Sequence, residues 1–197
     1  MPAPAGRADS GHLGPGRQDH QGREAQRVAP FSATGKGGLI MAAKDDALRR
    51  IQELLGPGAL TADPDFRAGV SYTVACPKES LLAVMEIFNA CGFYLESLTG
   101  LDFQDTLEFV YHMNAYEPRA RMAVRVLCPH DGEMPSVSGV FASALWQERE
   151  AWEFYGVRFS GHPDLRRLLL PDDADFYPLR KDFGTVHAYR KREEVYG

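Results

Sequence analysis

Acidic and basic side chains that could take part in catalysis or binding are concentrated in residues 148–183. Glu148 and Glu150 could form a general acid/base pair, because two carboxyl groups in different surroundings can divide proton donation and acceptance between them. Two positions apart on a helix, however, the side chains point about 200° away from each other and would not face one substrate. We therefore predict that both glutamates form structural ion pairs with the cations that follow, which are Arg166, Arg167, Arg180 and Lys181.

His162 and the arginines suggest two further kinds of site. A metal could bind His162, but a single histidine in a Gly-His-Pro turn is more often a corner residue that makes hydrogen bonds, and we expect that role. The arginines could bind phosphate, because a planar guanidinium group suits phosphate as well as carboxylate. Their mixture with acidic residues favours a paired protein surface instead, and these acidic residues are Asp164, Asp172, Asp173, Asp175 and Asp182.

A predicted helix that ends at Gly156 must position the first of these side chains. Apolar residues recur along it at three- and four-residue steps and define one stripe: Val137, Phe141, Ala144, Leu145, Trp152 and Tyr155. Glu148 lies on this stripe, so a carboxylate is expected to point into the core, where it needs a partner. Arg149 and Glu153 lie one turn apart on another face and are predicted to pair with each other.

The chain after Gly156 cannot stay helical for long, because three prolines each remove a backbone donor: Pro163, Pro171 and Pro178. It still carries many large apolar side chains: Leu165, Leu168, Leu169, Leu170, Phe176, Leu179 and Phe183. So much apolar surface on a segment of turns needs a protein surface to cover it. We predict that the chain leaves its domain at Gly156 and that residues 157–197 form an extended docking segment. Its last charged residues, 190–194, are expected to be solvated.

The order of charged and apolar residues in this region resembles a family signature. The signature positions are Glu148, Arg149, Glu150, Glu153, His162, Asp164, Arg166, Arg167, Pro178, Leu179, Arg180, Lys181 and Asp182. They resemble the thirty-kilodalton subunit of NADH-quinone oxidoreductase, which lies in the peripheral arm of respiratory complex I. The resemblance extends more weakly back to about Val70. Glu153 stands where the family more often has Asp, and residues 175–177 lack a glycine that relatives usually have two residues before the proline.

The resemblance implies a scaffold subunit with no catalytic residues and no cofactor of its own, which supports electron transfer to quinone in a proton-translocating complex. It implies partners that bind NAD, FMN, iron–sulfur clusters and quinone, among them the quinone-site subunit, which resembles a hydrogenase large subunit, and cluster-bearing subunits. It also implies a place on the cytoplasmic side of a bacterial inner membrane, reached only through the complex. The equivalent subunit of a membrane-bound nickel-iron hydrogenase or formate hydrogenlyase is an alternative. A free-standing α+β enzyme or binding module that uses Glu148, Glu150 and His162 is a second one.

Composition bounds these possibilities. The chain has 197 residues, of which 44% are hydrophobic and 25% charged, enough for one domain with a core. Its net charge of −5 argues against nucleic-acid binding. No apolar run approaches the roughly 20 residues that a membrane helix needs. Cys76, Cys91 and Cys128 lack C-x-x-C spacing, so we do not expect them to bind iron–sulfur clusters or zinc, and their odd number favours a reducing, cytoplasmic setting.

Residues 1–40 differ in composition from the rest of the chain. They are rich in Gly, Ala, Pro, Arg and Gln and show no helical or strand periodicity, so we expect them to be disordered. They hold five basic and three acidic residues, which leaves 17 basic against 24 acidic, a net charge of −7, for the remainder. An alternative expectation is that Met41 is the true start and that this segment is a gene-calling artefact.

The spacing of apolar residues predicts the other elements. Helices are expected over 45–55, over 77–91 and from Ser138 or Ser143 to Tyr155, with either serine able to cap the last one. Strands are expected over 70–75, 93–101, 106–115 and 120–127. This order predicts an α+β fold over residues 41–156, with a small mixed or antiparallel sheet covered by helices.

Overall fold

A five-stranded sheet with three helices packed on one face forms the structure, a computed structural model that describes residues 38–66, 69–116 and 119–184 together with Arg192 and Tyr196. The helices are α1 (Gly38–Leu55), α2 (Leu81–Ala90) and α3 (Ala144–Tyr155). The sheet contains β1 (Leu60–Ala62), β2 (Tyr72–Ala75), β3 (Tyr94–Asp102), β4 (Leu107–Ala115) and β5 (Ala120–Cys128). Two further strands, β6 (Glu133–Pro135) and β7 (Arg158–Ser160), form a separate parallel pair.

The strand order in the main sheet is β1-β2-β5-β4-β3. Strands β3, β4 and β5 form an antiparallel meander, in which Leu98 lies opposite Tyr111 and Phe109 opposite Val126. Strand β5 then pairs in parallel with β2, so the sheet is mixed. Helix α2 carries the chain from β2 across the sheet to β3 at the far edge. The predicted α+β fold with a mixed sheet is confirmed.

Alternate residues of the two central strands point toward the helices and build the core. The residues from β4 and β5 are Phe109, Tyr111, Met113, Met122, Val124 and Val126, all buried. They belong to one hydrophobic cluster with Ile51 of α1, Phe88 of α2 and Ala151 of α3. Because burying each large side chain contributes about 1.5–3 kcal/mol, this layer stabilises the domain and places α3 along β3.

The face of the sheet opposite α1, α2 and α3 carries a small apolar cluster, formed by Val70, Val110 and Ala123 with Leu101 packed against it. Glu108 is fully buried on this face, with one carboxylate oxygen 3.0 Å from the guanidinium of Arg192. The ring of Tyr196 lies 4.1 Å from the guanidinium carbon of Arg125. Arg192 therefore contacts the sheet, which differs from the predicted solvated tail; the other residues of 190–194 lie outside the described residues.

Strands β1, β6 and β7 are not predicted from the sequence, because three residues are too few to show alternation. Of these three strands, β7 changes the predicted fold the most. It pairs with β6, and it buries Phe159 while Val157 just before it is also buried in the main core. The prediction that the chain leaves its domain at Gly156 is therefore wrong for residues 157–160, which continue the fold of the domain.

The start of α1 and the capping of α3 also differ from the predictions. Helix α1 begins at Gly38 rather than at Asp45, while residues 1–37 of the segment predicted to be disordered or artefactual lie outside the described residues. Helix α3 begins at Ala144, but its N-cap residue Ser143 makes no side-chain capping bond. The Ser143 hydroxyl donates instead to the carbonyl of Leu95, 3.3 Å away. The serine thus joins the helix to the sheet rather than closing the first turn.

Candidate docking surface

Helix α3 is fixed against the edge strand β3 by side-chain hydrogen bonds. The Tyr155 hydroxyl donates to the carbonyl of Gly100 at 2.7 Å, and the Gln147 amide donates to the carbonyl of Glu96 at 3.4 Å. A Cβ atom at position 100 would lie 2.4 Å from the Tyr155 ring, so only glycine permits this approach. The orientation of α3 that results buries two of its carboxylates completely, those of Glu148 and Glu153.

Glu148 points into the core, as its place on the apolar stripe predicts. One carboxylate oxygen accepts a hydrogen bond from the Ser136 hydroxyl at 2.5 Å and the other from the Val137 N–H at 2.6 Å. Burial raises the pKa of the Glu148 carboxyl to about 7, and the two hydrogen bonds offset only part of that rise. The predicted ion pair is wrong: of the residues that the structure describes, no cation contacts this carboxylate, because a hydroxyl and a backbone N–H occupy it.

Glu153 binds the backbone of the chain that follows β7. Its carboxylate accepts hydrogen bonds from the backbone N–H groups of Leu168 at 2.9 Å, Leu169 at 3.0 Å and Leu170. Burial alone would raise the pKa of Glu153, but the three N–H groups and the nearby charge of Arg167 outweigh it, so the pKa lies below its ordinary value. The carboxylate is therefore ionised and holds three consecutive peptide groups.

Arg149 binds the same stretch of backbone through its carbonyl groups. Its guanidinium donates to the carbonyl of Arg166 at 2.8 Å and to that of Arg167 at 2.6 Å. The predicted Arg149–Glu153 ion pair is wrong, because each side chain binds the chain beyond β7 instead of its helical neighbour. We call the two together the Arg149–Glu153 clamp. It fixes the backbone of residues 166–170, which belong to residues 161–184, here called the tail.

His162 lies at the corner where the tail begins, as predicted. The Asp164 N–H donates to Nδ1 of the imidazole at 3.1 Å. Because Nδ1 is the acceptor, the ring proton lies on Nε2, which donates to the carbonyl of Leu145 on α3 at 3.0 Å. Both ring nitrogens of His162 are thus used, Nδ1 within the tail and Nε2 in holding the tail to α3.

A second attachment lies near the end of the tail. The buried Arg180 guanidinium donates to the carbonyl of Tyr155 and to Asp131, each at 2.6 Å. The Lys181 N–H donates to the carboxylate of Asp102 at 2.6 Å, and the other Asp102 oxygen bonds His130 at 2.7 Å. The predicted site residues do not include Asp102, His130 or Asp131. Asp102 and Asp131 lie 79 and 49 residues from their tail partners, so no local spacing could reveal these contacts.

The tail presents apolar side chains to solvent between these attachments. Leu169 is 65% exposed, Leu179 51% and Phe183 45%, and the rings of Phe183 and Phe176 stack with centroids 5.2 Å apart. Leu165, in contrast, packs against the core. The outward set of Leu169, Phe176, Leu179 and Phe183, here called the tail apolar surface, is the feature of the described residues best suited to protein contact.

The remaining predicted residues occupy different positions. Arg166 is exposed and bonds its neighbour Asp164 at 3.0 Å, while Arg167 donates to the carbonyl of Ala174 inside the tail. Pro178 is partly buried, and Asp182 is exposed. Glu150 is exposed on α3 and has no cation partner among the described residues, so the ion pair predicted for it is also wrong.

The three residues of the alternative enzyme hypothesis do not converge. Glu148 lies in the core, Glu150 lies on the surface and both nitrogens of His162 are occupied. Within residues 38–184, leaving out the undescribed 67–68 and 117–118, no group of three or more His, Cys, Asp or Glu side chains is arranged to hold a metal ion. Over the same described part of the chain, every helix is too short or too polar to span a membrane.

Comparison with known proteins gives consistent matches. Residues 74–189 match the family described as "Respiratory-chain NADH dehydrogenase, 30 Kd subunit". The chain is 41% identical over 139 residues to an NADH-quinone oxidoreductase subunit of Moorella thermoacetica, which covers 68% of this chain and 92% of the relative. It is 38% identical over 133 residues to the corresponding NADH-quinone oxidoreductase subunit of Rhizobium meliloti. That alignment covers 64% of this chain and 66% of the relative, slightly less than two thirds of its length.

One solved structure has the same fold. It is described as the "Structure of the membrane-bound sulfane sulfur reductase (MBS), an archaeal respiratory membrane complex". The matching chain superposes with a TM-score of 0.61 at 24% sequence identity, over 73% of this chain and 86% of that one. At this identity the likeness concerns the fold.

Proposed function

The chain belongs to the family of the 30 Kd subunit of respiratory-chain NADH dehydrogenase, and we propose that it is a cofactor-free scaffold subunit in the peripheral arm of a proton-translocating NADH-quinone oxidoreductase. In this role it supports electron transfer from NADH or another donor to quinone and catalyses no step itself. Its partners are the quinone-site subunit, which resembles a hydrogenase large subunit, and subunits that bear iron–sulfur clusters. It lies on the cytoplasmic side of the bacterial inner membrane and reaches the membrane only through the complex.

One observation carries this proposal: the backbone of the tail is bound to α3 while its apolar side chains face outward. The Arg149–Glu153 clamp binds the peptide groups of residues 166–170, so the Leu169 side chain remains exposed. The Arg180 side chain attaches the tail to the Tyr155 carbonyl of α3 and leaves the neighbouring Leu179 exposed. A segment that is already ordered loses little conformational entropy on binding, which favours a stable interface.

The charge distribution around the tail supports a scaffold role as well. The charges of the clamp and of the buried Arg180 are used in bonds within the chain, so they are not available to bind a small substrate. What the tail offers to its surroundings is apolar surface with polar groups at its rim, the composition of a stable subunit interface.

Substituting the tail apolar surface tests the proposal. Leu169→Glu and Phe183→Glu should each lower the amount of assembled complex in membranes about tenfold, because an unpaired carboxylate would have to be buried at the interface. NADH:quinone turnover for each complex that does assemble should stay unchanged. Native gels with an in-gel activity stain, calibrated against the amount of a cluster-bearing subunit, give both values.

Leu54→Glu is the matched control, because Leu54 is 46% exposed on α1, outside the tail. It should leave assembly unchanged. Normal assembly of both tail variants with slow turnover would overturn the scaffold role and favour a direct part in the reaction.

A further inference from the structure

A cleft of about 180 Å³ lies between α3 and the edge strand β3, beside the exposed end of the tail. Its apolar walls are formed by Leu98 of β3, Phe154 of α3 and Leu179 of the tail. Gln147 and Glu150 line the same cleft from α3. The two polar residues are three positions apart on the helix, so they face the cleft from one side.

Two acceptors on the α3 side of the cleft, those of Gln147 and Glu150, lack donors in the described part of the chain. The Gln147 amide nitrogen is already bound to the carbonyl of Glu96, and its Oε1 atom is buried without a hydrogen-bond partner in the described structure. The carboxylate of Glu150 has neither a cation nor a hydrogen-bond donor among the described residues. A buried acceptor left unpaired costs about 1–3 kcal/mol, so this arrangement favours a ligand that supplies donors.

Two donors close to the cleft are already used within the chain. The Tyr155 hydroxyl, which lines the cleft, donates to the carbonyl of Gly100. Arg149, the basic residue next to Glu150, donates to the backbone of the tail. The side of the cleft formed by Gln147 and Glu150 is therefore anionic and rich in acceptors, and much of the remaining wall is apolar and aromatic, with Thr99 beside it.

We propose that this cleft receives an arginine side chain from a neighbouring subunit of the complex, an inference that rests on the proposed scaffold function. The planar guanidinium offers several N–H donors in a fixed fork, which can reach both a carboxylate and an amide oxygen. The aliphatic stem of arginine packs on apolar walls, and its charged head lies favourably against aromatic rings. Glu150 is thus the charge-complementary contact at the rim of the interface, and Leu179 joins the cleft to the tail apolar surface.

Charge reversal in the complete complex tests the contact. Glu150→Lys should lower the amount of assembled complex about tenfold, and Glu150→Gln, which keeps an acceptor but loses the charge, about threefold. Glu86→Lys is the control, because Glu86 is an exposed glutamate on α2, away from the cleft, and should assemble normally. Since Glu150 is exposed, these variants should keep the wild-type thermal unfolding temperature.

A small probe tests the ligand chemistry on the full chain without the partners. N-acetyl-arginine amide at millimolar concentration should shift the side-chain amide signals of Gln147 in a ¹⁵N–¹H spectrum, and N-acetyl-citrulline amide, which has the same shape without the charge, should not. The arginine-induced shift should be lost in Glu150→Gln.

Equal shifts with both probes, or wild-type assembly of Glu150→Lys, would overturn the inference. The scaffold function is tested separately. If the Leu169→Glu and Phe183→Glu variants fail to assemble while Glu150→Lys assembles normally, the scaffold function is supported and only the arginine contact is rejected.

Discussion

Glu148 and Glu153 are two fully buried carboxylates on one helix whose pKa values move in opposite directions. Glu148 faces the core and has one hydroxyl and one N–H as donors, so burial raises its pKa to about 7. Glu153 faces the tail and has three N–H donors and Arg167 nearby, so its pKa falls below the ordinary value despite burial. The number and charge of the donors, rather than burial alone, decide which form of a buried carboxyl is stable.

This difference separates two tasks along α3. On the core side, Glu148 joins the helix to residues 136 and 137, and its ionisation works against the folded state. On the tail side, the charge of Glu153 is what holds the backbone of Leu168–Leu170. The Glu148 carboxyl, on the core side of the helix, is therefore stable in the folded protein when it is neutral. The Glu153 carboxyl, on the tail side, must be ionised to bind the tail backbone.

Removing the tail-side carboxylate should have the largest effect. Glu153→Ala leaves three N–H groups without their acceptor, and since a hydrogen bond to a charged group contributes about 1.5–3 kcal/mol, the tail should open about 100-fold more often. Trypsin cleavage after Arg166 or Arg167 measures this opening, because the clamp holds both residues in the closed tail. The rate of cleavage should rise by about the same factor.

Two variants sharpen the result. Glu153→Gln keeps the length and one acceptor but loses the charge, so it should give an intermediate rate. Glu150→Gln neutralises the exposed carboxylate on the same helix and should leave cleavage at the wild-type rate. Cleavage of Glu153→Ala at the wild-type rate would show that Arg149 and Arg180 hold the tail without Glu153.

Neutralising the core-side carboxylate should change the pH dependence of stability. The folded pKa of Glu148, about 7, lies above the ordinary glutamate value of 4.5. Folding therefore binds a proton between these pH values, and the contribution of Glu148 to stability is fully present below pH 4.5 and is lost as the pH rises through 7. A difference of about 2.5 pKa units corresponds to about 3 kcal/mol.

Urea unfolding of the full chain between about pH 4.5 and 8 tests this sign. The difference in unfolding free energy, Glu148→Gln minus wild type, should rise by about 3 kcal/mol across the range. Tyr111, a buried acid that interacts with Glu148, does not interfere, because burial holds its pKa well above 10. Parallel curves for the two proteins would show that Glu148 has the same pKa folded and unfolded, and the contrast with Glu153 would be lost.

The sequence predicts the parts of this comparison that depend on local spacing. The spacing of apolar residues over 106–115 and 120–127 predicts β4 and β5, and the phase of the apolar stripe on α3 predicts that Glu148 points inward. Strand β7 has three residues and shows no period, so the burial of Phe159 could not be read from its own segment.

The partners of the buried charges could not be predicted for a different reason. Glu153 binds N–H groups and Arg149 binds carbonyl groups, and every residue except proline carries both. A prediction from sequence pairs each charged side chain with one of opposite charge. It therefore pairs Arg149 with Glu153 and does not consider backbone N–H and carbonyl groups as partners. The tail is predicted to be a segment that needs covering, but its attachment to its own helix depends on the folded backbone.

Gly156, at the end of α3, also lies against the tail. Of the substitutions predicted here, replacing it should have the smallest effect on stability. Gly156 has φ +78°, and a Cβ atom there would lie 2.7 Å from the Arg180 guanidinium and 2.8 Å from the Tyr177 ring. Gly161 has φ +81° but nothing within 4 Å of such an atom, so it isolates the cost of the left-handed backbone. Gly161→Ala should therefore lower the unfolding free energy by about 1 kcal/mol and Gly156→Ala by about 2 kcal/mol, as measured by urea unfolding. If the two losses are equal, Arg180 and Tyr177 move aside freely, and the Arg149–Glu153 clamp is the attachment that fixes the tail.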